Sequence, residues 1–195
     1  MTLNEKVRNA QNQKGFTLVE IAIVMVIIGL LIGGVLKGQS MIQNAKVKRV
    51  VKQADELRAA VMTFYDKYAS YPGDENSNAF PPDDTNNGDG DGQIETAEAD
   101  MMYEDLKCAG IIGGSFDGSG EDSIANHAFG DKVRVLWVDP GQGNNHFIRY
   151  DNLPWDVCLE IDIKYDDGVY NEGSIRANED YVVASDSIAY FYMPL

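Results

Sequence analysis

Three patterns of apolar and polar residues succeed one another along the chain. From Phe16 to Leu36, 21 consecutive residues carry a single charged side chain, Glu20. As a helix at 1.5 Å per residue this run reaches about 31 Å, enough to cross the hydrocarbon of a bilayer. After it, Met41, Ile42, Ala45, Val47, Val50, Val51, Ala54, Leu57, Val61, Phe64, Tyr65 and Tyr68 recur at three- and four-residue steps. That spacing puts the apolar side chains on one face of a helix. No proline precedes Ser70, so the pattern predicts one helix from about Phe16 to Ala69, stopped by the turn signal Tyr71-Pro72-Gly73. A helix this long needs partner surfaces: membrane or sister helices for its first half, a sheet for its second.

The third pattern begins at Tyr71. Pro72 to Asp91 is rich in Gly, Pro, Asn and Asp and reads as loop. Asp100 to Ile112 reads as a short helix with Met101, Met102, Leu106 and Ala109 on its apolar side, closing at Gly110. Strands are expected at Lys132–Val138, Asn145–Tyr150, Val157–Ile163, Gly173–Ala177 and Tyr181–Met193, the last bent near Ser185-Asp186. Asp139-Pro140-Gly141 and Asp166-Asp167-Gly168 supply turns between them. The expected fold is α+β: a long N-terminal helix whose upper half covers one face of a small antiparallel sheet.

Charge divides the chain at the same place. Before Tyr71 there are ten Lys/Arg against five Asp/Glu, a net +5; from Tyr71 onward there are six against 26, a net −20. So acidic a head repels phosphates, which argues against nucleic acid as its partner and favours solubility or cation binding. Met1 to Gly15 is polar, with Lys6, Arg8 and Lys14 against Glu5, a net +2 that holds this end on the cytoplasmic side of a membrane. The run Lys37, Lys46, Lys48, Arg49 and Lys52 contains no acid. It reads as a solvated or headgroup-facing belt, or as a basic stem packing near the acidic head of another copy.

A secretory signal is cut after its apolar run, at small residues. Here Leu36-Lys37-Gly38-Gln39-Ser40 leads into more helix, and the small residue beside a polar block is Gly15, ahead of the run. An intact signal anchor is one reading. The stretch Lys14-Gly15-Phe16-Thr17-Leu18-Val19-Glu20 resembles the prepilin processing motif of type IV pilins and type II secretion pseudopilins. The resemblance implies a pilin-like fold and a leader at 1–15. Cleavage between Gly15 and Phe16 by a prepilin peptidase, which also methylates the new Phe16 amine, would follow. It divides the rest into a membrane and filament-core helix at 16–36, a stem at 37–70 and a periplasmic or extracellular head at 71–195. It further implies a single pass through a bacterial inner membrane with the N-terminus cytoplasmic, then extraction by the assembly machinery into a helical homopolymer. Glu20 of one copy would then meet the Phe16 amine of a neighbour, because a buried carboxylate is tolerable when paired. Many major pilins have a proline near the position of Lys37; this chain has Gly29, Gly33, Gly34 and Gly38 instead, as points of stretching or of close helix contact.

The segment Asn87 to Glu98, NGDGDGQIETAE, fits the twelve-residue calcium loop in one frame. Asn87, Asp89 and Asp91 supply side-chain oxygens, Gly92 takes the sharp turn and Gln93 gives a carbonyl. Ile94 is the apolar anchor, Glu95 acts through water and Glu98 closes the site. Asn87 in place of an aspartate removes one negative charge and places affinity near the 0.1–1 mM range of extracellular modules. The alternative is an acidic, glycine-rich loop in solvent. Cys108 and Cys158 are too few and wrongly spaced for a zinc site. They are two buried thiols or, in an exported head, one disulfide closing a loop of about 50 residues and adding roughly 4 kcal/mol. His127 and His146 lie in unrelated contexts and no serine sits in a nucleophile elbow, so no enzyme is expected. Three functions stay open: a type IV pilus-like filament subunit, a type II secretion pseudopilin, and a membrane-anchored calcium-dependent binding domain with an uncleaved anchor.

Overall fold

The computed structural model describes residues 15–77, 79–182 and 186–195. The chain divides into two compact units, Met1–Asn44 and Ala45–Leu195. Helix α1, Leu18–Tyr68, is continuous through the division, so the expected long helix forms within two residues of its expected ends. In the first unit, residues 15–37 are all exposed, with apolar side chains on every side of the helix. By length and composition this helix can cross a membrane.

In the second unit, α1 buries Val47, Val50, Ala54, Leu57, Ala60, Val61 and Phe64, the stripe expected from its three- and four-residue steps. The stripe meets a four-stranded sheet formed by β1 (Val133–Val138), β2 (Asn145–Pro154), β3 (Arg176–Ala177) and β4 (Ser187–Pro194), in the order β1-β2-β4-β3. Every pairing is antiparallel. Register places Val133 opposite Tyr150 opposite Phe191, and Val135 opposite Ile148 opposite Met193. These six residues therefore share one face, and all join the core with the α1 stripe. The Tyr150 hydroxyl donates to the Val50 carbonyl at 2.9 Å, tying sheet to helix. The opposite face carries Arg134, Arg149 and Asp151, with Arg149 Nε donating to Asp151 Oδ1 at 2.8 Å and Arg134 paired to both Asp151 and Glu121.

The short helix forms as α2, Met101–Cys108, ending four residues before its expected limit. Gly110 takes φ +74°, its N–H donates to Lys107 O and the Ile111 N–H donates to Leu106 O, a Schellman closure that requires a residue of positive φ.

The strand expected at Val157–Ile163 is instead helix α3, Trp155–Tyr165. Val157, Leu159, Ile161 and Ile163 alternate, but the buried set is Val157, Cys158, Ile161 and Asp162, a helical spacing, and Ile163 is 63% exposed. Pro154 at the N-cap, Asp156 in the first turn and Lys164 in the last all favour a helix. Asp166-Asp167-Gly168 accordingly closes α3 rather than a hairpin, with the Gly168 N–H donating to Asp162 Oδ1 at 3.2 Å. β3 is shorter than expected because Asp166 Oδ2 accepts the Ser174 and Ile175 N–H groups, at 2.5 and 2.7 Å, removing them from the sheet ladder. β2 runs on to Pro154, and β4 begins at Ser187, not at Tyr181. Ser185, at the expected bend, lies outside the described residues.

Candidate processing site and carboxylate clusters

Phe16 is 82% exposed, and with Gly15 and Thr17 it precedes the first turn of α1. That turn closes on itself. Thr17 Oγ1 accepts the Glu20 N–H at 3.2 Å, and Glu20 Oε2 accepts the Thr17 N–H at 2.7 Å. This reciprocal capping box satisfies two donors that a helix start otherwise leaves open. Thr-x-x-Glu ahead of an apolar run is the sequence signal for it, so Glu20 has a role within its own helix besides the expected one in assembly. Gly29, Gly33, Gly34 and Gly38 each have nothing within 4 Å of where a Cβ would stand. The rest of the leader, residues 1–14, lies outside the described residues. Further along, Arg49 and Lys52 pair with Glu56 at 3.4 and 3.2 Å, and Lys46 lies over the Phe129 ring, so part of the basic run is engaged within its own chain.

The loop at Asn87–Glu98 is organised by carboxylates and glycines. Asp89 Oδ1 accepts the Asp91 N–H at 3.0 Å, and Asp91 takes two bonds from Gln93, from its N–H at 2.8 Å and its side-chain amide at 2.7 Å. Glu98 reaches back with both oxygens, to the Asp89 N–H at 3.1 Å and the Glu95 N–H at 3.0 Å. Ile94 is buried as the expected anchor; its N–H donates to His146 Nε2 and its carbonyl accepts the Trp137 N–H. A Cβ on Gly88 would lie 2.3 Å from Gly73 O and 2.6 Å from Glu98 Oε1, so the loop closes on the turn after α1 only without a side chain there.

Of the expected ligands, Asp89 and Asp91 come together, each offering an oxygen within 4.8 Å of the other. Their third partner is Asp74, from outside the twelve-residue frame. Asp74 is 1% exposed, its Oδ2 accepts the Gly92 N–H at 3.0 Å, and its Oδ1 is buried without a hydrogen-bond partner. Burial raises its pKa above the usual carboxylate range, and the charges of Asp91 and Asp89 add to that. Burial likewise raises Glu98, helped by Asp74 and Asp89. Asn87 and Gln93 are half-buried in the loop and Glu95 is exposed; none of the three belongs to the carboxylate cluster. Three acidic oxygen donors, Asp74, Asp89 and Asp91, suit a hard cation such as calcium, while Glu98, the expected closing ligand, spends both oxygens on backbone N–H groups and is not part of the cluster. Asp74 lies thirteen residues before Asn87 with no fixed spacing to the loop, and nothing but the turn at Gly73 brings it in.

The remaining chemistry-bearing residues are built into the head. Cys108 and Cys158 are free thiols: Cys108 Sγ faces Asp83 O at 3.6 Å and buried Cys158 Sγ faces Leu153 O at 3.7 Å. The expected bridge between them is not formed here, since α2 and α3 direct the two sulfurs to different carbonyls. His127 accepts the Phe129 N–H at Nδ1 and donates from Nε2 to Asp151 O, and burial lowers its pKa to about 4. Burial lowers His146 to about 4 as well, and its Nε2 is an acceptor. Both are neutral structural imidazoles.

Residues 10–36 match the prokaryotic N-terminal methylation motif, so the chain carries a prepilin-type N-terminus, consistent with the type IV pilin and pseudopilin family. The match ends where the stem begins and covers none of the head. Comparisons with curated proteins and with solved structures returned no match.

Proposed function

We propose that this chain is a structural subunit of a type IV pilus-like filament, cut between Gly15 and Phe16 by a prepilin peptidase and methylated on Phe16. The observation that carries the reading is the first half of α1. From residue 15 to 37 every side chain is exposed, and those between Phe16 and Leu36 are apolar but for Thr17 and Glu20. Such a surface is stable in lipid and, once extracted, only against other helices of the same kind. Polymerisation supplies those helices, with the acidic heads outermost. Cleavage leaves the Phe16 amine one residue ahead of the capping box, and Glu20 of a neighbour is its counter-charge. The loop at Asn87–Glu98, completed by Asp74, holds calcium in the extracellular medium.

The test is Glu20→Gln. Glutamine serves in a capping box as glutamate does, so the helix start survives while the charge is lost. Expected are normal cleavage and membrane insertion but no filaments in sheared surface fractions; wild-type filament yield from this variant would overturn the counter-charge role. Mass spectrometry of the wild-type protein should find methylated Phe16 at its N-terminus, and an intact Met1 terminus would favour the uncleaved membrane anchor. The proline-free course of α1 favours a second reading, a pseudopilin whose short polymer stays in the periplasm. Electron microscopy of surface fibres separates the two.

A further inference from the structure

A second group of carboxylates lies beside the loop and shares none of its residues. Glu75, Asp84 and Asp105 each offer an oxygen within 4.8 Å of the others'. Glu75 is 1% exposed and Asp105 0%. Their placement is built from the backbone. Asp105 Oδ2 accepts the Gly73 N–H at 2.6 Å, Glu75 Oε2 the Ser77 N–H at 2.9 Å and Asp84 Oδ1 the Asn86 N–H at 3.3 Å. Asp84 is steadied further by its neighbours: Thr85 and Asn86 donate to the two oxygens of Glu104, at 2.7 and 2.6 Å, one residue before Asp105 on α2.

Each carboxylate is thus oriented through one oxygen, and the other is left over. Glu75 Oε1, Asp84 Oδ2 and Asp105 Oδ1 are all buried with no hydrogen-bond partner. Among the described residues, no Lys, Arg or His forms an ion pair with any of the three. As ionised carboxylates the three are acceptors without a donor and cannot satisfy one another; the arrangement needs a bound cation or shared protons. Among the described residues the group is carboxylates alone, with no imidazole or thiolate in it, so a metal occupant would be a hard divalent ion. A dry site suits calcium, which accepts irregular coordination, better than magnesium, which keeps its waters.

We propose that Glu75, Asp84 and Asp105 form a buried calcium site that fastens the segment after α1 to α2. It is separate from the loop site: Asp74 and Glu75, adjacent in sequence, serve different clusters. The proposal does not rest on the filament reading or on calcium in the loop. Protons are the competing occupants, since burial and mutual repulsion raise Glu75 to about 7 and Asp105 to about 8.

The experiment counts metal on the full chain in detergent at pH 7.5. The protein is stripped with chelator, dialysed to equilibrium against calcium chloride or magnesium chloride at about 5 mM, above the roughly 0.1–1 mM range expected of the loop, and the ion in excess of the dialysate is measured by atomic emission. Three proteins are compared: wild type, Asp105→Asn and the double variant Asp89→Asn/Asp91→Asn. The asparagine at 105 keeps an oxygen for Gly73 and gains a donor for Glu75 or Asp84, so it folds without an ion; Glu75→Gln repeats the test from another wall. Expected are two calcium ions per wild-type chain and one in each variant. A wild type with one ion, lost in Asp105→Asn and kept in the double variant, would uphold this site and reject the loop. Unchanged calcium content in folded Asp105→Asn and Glu75→Gln would overturn the proposal, and so would a single ion lost only in the double variant. Magnesium retained as well as calcium would overturn the choice of ion.

Discussion

The most informative perturbation of the head is a pH change from 7 to 8 in the presence of a chelator. Burial, then the charge and hydrogen-bonding of Asp84 and the charge of Asp74, raises Glu75 to about 7; burial, then repulsion from Asp84 and Glu75, raises Asp105 to about 8. In the unfolded chain both groups titrate near 4. A group whose folded pKa is raised contributes stability below its unfolded pKa, and that contribution is lost as pH rises through the folded pKa. Between pH 7 and 8 the folded head therefore holds protons that the unfolded chain has already released. Unfolding free energy should fall with a slope of up to about 1.4 kcal/mol per pH unit for each such proton. His127 and His146 work the other way but elsewhere. Their folded pKa values are near 4 and an unfolded histidine titrates near 6.5, so their contribution is lost as pH falls from 6.5 to 4. The two opposing pairs of shifts nearly cancel between about pH 4.5 and 6.5, so the chelated head should hold a level stability there and lose it above about pH 6.5. Urea melts on the full chain in detergent, followed by the fluorescence of Trp137 and Trp155, measure this between pH 6.8 and 8.2. Saturating calcium should flatten or reverse the slope, and Asp105→Asn should reduce it. A flat or rising slope in chelator, or an undiminished one in Asp105→Asn, would refute the assignment of these protons.

Other expectations concern the packing of stem on sheet. Phe64 is fully buried and in ring contact with Tyr68 at 4.7 Å, so Phe64→Ala should cost about 3–5 kcal/mol, read as a lowered urea midpoint. Tyr150→Phe removes only the hydroxyl bond to Val50 O; that carbonyl keeps its helical partner, and the same melt should show a loss of about 1 kcal/mol. Maleimide should label half-buried Cys108 in the folded protein and reach fully buried Cys158 only after unfolding. Protection of both thiols in exported protein, with a mass two hydrogens lower, would mean that the chain bridges them outside the cell.

The sequence by itself determined the helix and its two environments. A 21-residue apolar run and the spacing of Val47, Val50, Ala54, Leu57, Val61 and Phe64 are properties of neighbouring residues on one element, and so are legible without a fold. The same holds for the Asp89–Asp91 half of the loop, whose hydrogen bonds span two residues. Tertiary structure decided the rest. Whether Val157–Ile163 becomes strand or helix depends on which side chains the core accepts, and the core takes Cys158 and Asp162 rather than Ile163. Asp74 enters the loop cluster, and Glu75, Asp84 and Asp105 converge, only because the chain turns at Gly73 and packs against α2. A Cβ on Gly73 would lie 2.7 Å from Glu98 O. Carboxylates separated by nine and 21 residues have no fixed spacing to read; burial brings them together, and burial also removes the water that would otherwise have satisfied them.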